Sequence, residues 1–139
     1  MGLIYADLTL IRAADMALRD EGYIKEKDVR SMKVRALVDS GAYKLAINEN
    51  IRTQLDLRKV DEQLAELANG EEVKLDVVGP VELRFQNRRT LCDAMVLPGD
   101  VEVLLGAIPM EDLDVVINTR DQTLIVNPES PYIAKKSLK

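Results

Sequence analysis

Apolar and polar positions alternate in short runs along most of this chain, the period of half-buried β-strands. Residues 3–11 (LIYADLTLI) are dense in β-formers and partly alternate, and predict a strand. Residues 13–21 (AADMALRDE) favour a helix by composition, with Gly22 placed to cap its end, and the polar stretch 23–28 predicts a loop. In residues 32–39 (MKVRALVD), Lys33 and Arg35 first alternate with Val34 and Ala36. The pattern then turns continuously apolar through Ala36, Leu37 and Val38, so this strand runs from edge to core as it nears Asp39. Residues 48–54 predict one helical turn with Asn48 as its cap.

Residues 61–69 (DEQLAELAN) pull two ways. Alanine, leucine and glutamate favour a helix, and Leu64 and Leu67 stand three apart. Asn69-Gly70 is a hairpin signal, and the β-like run VKLDVV follows it. A hairpin is expected, because so short a segment makes a poor helix. Further strands are predicted at 73–78 and 81–85, divided by Gly79-Pro80, and at 90–97, ended by Pro98-Gly99-Asp100. An apolar run at 101–105 ends in Gly106. A short helical turn at 109–113 has Pro109 near its first position. Residues 115–117 and 123–126 are expected to pair across a turn at 119–122. The tail, punctuated by Pro128 and Pro131 and closing in KKSLK, is expected to be loosely held.

This succession predicts a mainly β protein. An open parallel α/β sheet is disfavoured for want of crossover helices. The length of 139 residues, with no linker and no convincing repeat, predicts a single domain over 1–139. Apolar residues make up 47% and charged residues 31%, an ordinary globular balance. The net charge of -5 argues against a nucleic-acid partner. The one basic cluster, RFQNRR from Arg84 to Arg89, reads as a solvated face. No apolar run is long enough to span a bilayer and no signal segment is seen, so no membrane role and a cytoplasmic location are expected.

Two absences narrow the chemistry. The chain has one cysteine, Cys92, set in an apolar run, which excludes an intrachain disulfide and a multi-cysteine metal site. It has no histidine, which removes Ser-His and Cys-His nucleophile pairs and histidine-bearing zinc sites. Cys92 therefore reads as a core thiol. The remaining candidate is Asp39. An apolar strand tolerates a carboxylate only where it is paired, hydrogen-bonded or near solvent. Ser40 adds a hydroxyl, and Gly41 lets another segment come close. That setting suits acid-base work, although Asp-Ser-Gly is also a common turn sequence. The run Val103-Leu104-Leu105-Gly106 could pass behind this turn, or could simply be a core strand ended by glycine.

The order of LVDSGA at 37–42, a hairpin at Asn69-Gly70, and VLLG at 103–106 before a short helix resembles the retropepsin-like aspartic proteases. The likeness covers roughly residues 32–126 and is nearer the small prokaryotic members than the viral ones. It implies a closed or partly open β-barrel with one or two short helices, and an aspartic endopeptidase acting on a peptide or protein substrate. It also implies a homodimer, since the chain carries one Asp-Ser-Gly motif and each subunit would supply one Asp39 to a dyad. By the same resemblance, Asp39, Ser40 and Gly41 form the catalytic turn. Ala42, Asn69 and Gly70 contact substrate. Leu104, Leu105 and Gly106 support the turn. No metal or cofactor is implied.

The sequence also departs from the viral pattern. Tyr43 and Ala107 stand where retroviral members usually carry an aspartate and an arginine that pair. The hairpin tip has one glycine, with Glu71 and Glu72 following, where viral flaps are glycine-rich. These departures keep two alternatives open: a retropepsin-like binding or assembly module without catalysis, and a β-rich domain with an unrelated role.

Overall fold

The computed structural model describes residues 2–138. Nine strands and three short α-helices follow in order: β1 (Tyr5–Arg12), α1 (Ala13–Asp20), β2 (Ser31–Val38), β3 (Leu45–Asn48), α2 (Glu49–Gln54), β4 (Arg58–Glu66), β5 (Glu72–Phe85), β6 (Arg88–Leu97), β7 (Val103–Leu105), α3 (Ala107–Leu113), β8 (Val115–Asn118) and β9 (Thr123–Val126). The expected loop at 23–28 contains a 3-10 turn, Glu26–Asp28.

Seven strands form one sheet in the order β1-β2-β7-β3-β6-β5-β4, and β1 also pairs with β5. That pairing closes six of the strands into a barrel and leaves β4 outside it, attached to β5 alone. The expected barrel is therefore present. Strands β8 and β9 form a separate antiparallel pair.

The largest difference from the sequence reading lies at Gly79-Pro80. Two strands were expected there; one strand of 14 residues runs straight through. The chain accommodates the pair with a register shift between Val78 and Val81. Proline has no N–H to give to a ladder, so a bulge is where a sheet can hold it. Gly79 has φ +153°, and a Cβ there would lie 2.5 Å from the Asp93 carboxylate. Below the bulge β5 pairs with β4, from Arg58↔Gly79 to Glu66↔Glu72. Beyond it β5 pairs with β1, from Arg12↔Val81 to Thr9↔Arg84. One strand thus serves both the protruding hairpin and the barrel wall.

Local signals explain the ends of the helices. Gly22 takes φ +87°, its N–H donates to the Arg19 carbonyl, and the Tyr23 N–H donates to that of Leu18, closing α1 with a Schellman motif. Asn48 caps α2, its Oδ1 accepting from the Ile51 N–H at 3.0 Å. Helix α3 begins two residues before the expected start, at Ala107, so Pro109 is its third residue. Proline costs nothing in that first turn, where the backbone N–H groups have no intrahelical acceptor.

The barrel interior holds Leu8, Leu10, Leu45, Ile47, Val78, Val81, Leu83 and Leu105, all at most 2% exposed. Three polar arrangements fix its outside. Asp15 is buried and accepts from Arg12, from the Arg30 backbone at 2.9 Å and from the Arg30 guanidinium, joining α1 to the start of β2. Buried Glu82 takes the guanidinium of Arg84 at 2.6 Å and that of Arg89 at 2.9 Å. Arg88 is itself buried and donates to the Ser130 carbonyl. The RFQNRR segment is thus a set of engaged arginines and not simply a solvated face.

The tail is better held than expected. Asp114 closes α3 in a left-handed conformation, φ 55°. Its carboxylate accepts from Asn127 Nδ2 at 2.9 Å, Ser130 Oγ at 2.5 Å and the Lys135 backbone N–H at 2.9 Å. Lys136 also pairs with Asp112. Proline punctuation ends regular structure here without freeing the chain. The last residue of the KKSLK segment, Lys139, lies outside the described residues.

Candidate active site

Asp39 follows the last residue of β2, and the sheet order explains how it is held. Strand β7 runs between β2 and β3, parallel to the first and antiparallel to the second. The loop 39–44 therefore bridges two strands that are not paired with each other, with β7 between them. The Asp39 N–H donates to the Leu105 carbonyl at 3.0 Å, which continues the ladder into the loop. The Ala42 N–H then turns back onto the Asp39 carbonyl at 3.1 Å. The Gly41 N–H donates to Asp39 Oδ1 at 2.9 Å. Asp39 is half-buried and Ser40 and Gly41 are exposed. Among the described residues, neither Asp39 Oδ2 nor the Ser40 hydroxyl has a hydrogen-bond partner within the chain.

Gly106 has a specific task. Its φ of -87° suits any residue, but a Cβ there would lie 2.4 Å from the Lys44 carbonyl oxygen and 2.6 Å from both Lys44 N and Tyr43 C. The start of α3 presses directly on the loop backbone. Two hydrogen bonds follow from that approach: Ala107 N–H to the Ala42 carbonyl at 2.7 Å, and Ile108 N–H to the Tyr43 carbonyl at 2.9 Å. Main-chain bonds thus brace the loop at the two positions, Tyr43 and Ala107, where an ion pair is missing.

The Asp39 loop opens into a groove of about 800 Å³. Its floor follows from strand parity. Leu45, Ile47, Leu105 and Val96 point into the barrel. The residues out of phase with them, Ala46, Leu104, Met95 and Leu97, line the groove, and Ala46 pairs with both Leu104 and Met95. Leu75 of β5 continues the floor, and residues 63–68 of β4 and the turn after it form the far wall.

Of the residues singled out from sequence, Asp39, Gly41, Ala42 and Leu104 line the groove. Leu105 and Gly106 lie behind the loop as supports. Asn69 and Gly70 occupy the hairpin turn, where Gly70 has φ +85° and the Glu71 N–H donates to Asn69 Oδ1 at 2.9 Å. They do not line the groove; β4 residues such as Gln63 and Leu64 do. Sequence reasoning passed over Lys44 and Met95, and noted Tyr43 only as a departure from the viral pattern. The alternation that places Lys44 and Met95 on the groove face was present, but reading it requires knowing which strands adjoin.

A second hollow, about 660 Å³, lies behind α3 and includes Cys92, Ile108, Asp112 and Lys135. Burial, reinforced by Asp93 and Asp112, pushes the Cys92 thiol up to about 11. A thiol held there stays protonated near neutral pH, which agrees with the reading of Cys92 as unreactive. No helix among the described residues is long and apolar enough to cross a membrane.

Comparison with known families agrees with this assignment. Residues 27–111 match the family described as gag-polyprotein putative aspartyl protease. A comparison with curated proteins returned no match. The matched stretch runs from within the 3-10 turn into α3, and so takes in the Asp39 loop, the groove and Gly106; by that match the chain belongs to the retropepsin-like aspartyl protease family.

Proposed function

We propose that the chain is an aspartic endopeptidase whose active unit is a homodimer, with one Asp39 carboxylate from each subunit. The observation that carries this reading is the Asp39 loop itself. The chain has a single Asp-Ser-Gly motif, its carboxylate has one engaged and one unengaged oxygen, and it stands at the mouth of a long groove. One carboxylate can act as a base or as an acid in a given step, and aspartic catalysis needs both roles at once. A two-fold axis beside the loop would supply the second copy. The exposed Ser40 hydroxyl, unpaired among the described residues, is suited to bond across such an axis.

Two carboxylates at short range share one proton, because both cannot ionise cheaply. The ionised member takes a proton from a water as its oxygen attacks the peptide carbonyl carbon. The protonated member donates to the carbonyl oxygen. The tetrahedral diol collapses when the carboxyl that took the water's proton gives it to the nitrogen, the other carboxylate takes a proton from a diol hydroxyl, and the C–N bond breaks. The titration belongs to the pair and not to one residue.

Replacing Asp39 by asparagine tests this. Asp39→Asn is expected to abolish peptide cleavage while leaving the dimer mass and circular dichroism unchanged. Cleavage retained by the variant would refute the mechanism. A binding module is the second reading, motivated by Tyr43 and Ala107 standing in place of the paired charges. Cleavage of a broad peptide library that a statine-type transition-state mimic inhibits would remove it.

A further inference from the structure

The groove is mostly apolar, and its charged lining is short: Asp39, Lys44 and Glu66. Among the described residues Lys44 is the one cation lining the groove. Its position there is set by the fold. It directly precedes β3 and is out of phase with buried Leu45, hence in phase with Ala46 on the groove floor. The loop backbone that carries it is fixed from behind by Gly106 and by the bonds from Ala107 and Ile108. Half of the chain's other cations, Arg12, Arg19, Arg30, Arg52, Lys59, Arg84, Arg88, Arg89 and Lys136, stand in ion pairs. Lys44 is exposed and, among the described residues, its ammonium makes no ion pair or hydrogen bond within the chain, although its charge is felt at the Cys92 thiol.

We propose that Lys44 is a specificity-determining residue that selects peptides carrying an aspartate or glutamate side chain close to the scissile bond. An ammonium with unused donors, on a wall next to Asp39, meets an acidic substrate side chain in a groove that the substrate itself dries. In a chain of net charge -5, Lys44 gives the described groove lining a local positive charge that an acidic side chain can approach. In a two-fold dimer each Lys44 serves one half of the groove, so acidic preference appears at two positions, one on each side of the cleaved bond. The position of cleavage rests on the protease reading above; the charge preference of the groove does not.

The experiment uses the full chain and its Lys44→Glu variant. Both are profiled on an internally quenched peptide library randomised on either side of the scissile bond. Both are also titrated with statine-type peptides carrying glutamate or lysine. Wild type is expected to favour acidic over basic peptides by about tenfold in kcat/KM, to lose that preference in high salt, and to reverse it in the variant. The same charge profile in both proteins overturns the inference and leaves the protease reading standing. Tighter binding of the glutamate peptide to wild type than to the variant, with no cleavage by either, supports Lys44 and removes the protease reading. Neither binding nor cleavage overturns both.

Discussion

Gly106→Ala is the sharpest test of how the loop is held. The new methyl would have to sit 2.4 Å from the Lys44 carbonyl oxygen and 2.6 Å from two further backbone atoms. Unstrained non-bonded contacts lie near ~3.5 Å, so α3 and the Asp39 loop must part by about 1 Å. The neighbours are main chain, which cannot swing aside as a side-chain tip can. Overpacking of this kind costs about 1–3 kcal/mol. Parting also breaks or stretches the bonds Ala107 N–H to Ala42 and Ile108 N–H to Tyr43, each worth about 1 kcal/mol. The expected loss is about 3–5 kcal/mol. At a urea slope of about 2 kcal/mol/M, this lowers the unfolding midpoint by about 2 M at fixed protein concentration. A loop moved by about 1 Å also lowers kcat/KM on the order of 100-fold. Gly70→Ala is the contrast. Gly70 has φ +85°, but a methyl added there would meet nothing within 4 Å, so only backbone strain applies, about 1–2 kcal/mol. If Gly106→Ala lost less stability than Gly70→Ala, the account of the braced loop would be wrong.

Two further outcomes follow from titratable groups. The hydrogen bonds from Ser130, Asn127 and the Lys135 backbone hold Asp114 down at about 2, below the ordinary 3.8. Because the folded value is the lower one, the tail's attachment is complete above about pH 4 and is lost as pH falls toward 2; amide-exchange protection at Lys135 should fade across that window, and protection unchanged at pH 2 would contradict it. For Cys92, a thiol at about 11 against an ordinary 9.0 leaves about 100-fold less thiolate at pH 8, so iodoacetamide labelling followed by mass spectrometry should be about 100-fold slower in the native protein than after unfolding; equal rates would show the thiol is not shielded.

Local chemistry was legible in the sequence wherever the deciding residue sits beside the element it controls. Gly22 and Asn48 mark helix ends by properties of their own backbone and side chain. Asn69-Gly70 correctly outweighed the helical composition of residues 61–69, because a turn fixes pairing and composition only biases it. The strand leading into Asp39 showed its passage from edge to core in the loss of alternation at Ala36-Leu37-Val38. What stayed hidden depends on partners distant in the chain. Gly79-Pro80 looked like a break, since nothing local shows that β4 and β1 share β5 on either side of the bulge. The tail's hold on Asp114 needs side-chain and backbone donors brought in by the fold, from Asn127, Ser130 and Lys135. The groove face of Lys44 and Met95 depends on β3 lying between β7 and β6.

The threading of β7 between β2 and β3 also governs when the site can exist. During synthesis, Asp39 is made well before the carbonyl of Leu105 and the N–H groups of Ala107 and Ile108 that fix its loop. Until then the loop has neither its backing strand nor its brace, and the carboxylate hangs on an unformed turn. The fold thereby separates possession of the Asp39 carboxylate from possession of the geometry that holds it: on the protease reading proposed above, a nascent chain that has not yet reached Ile108 carries the carboxylate without the site.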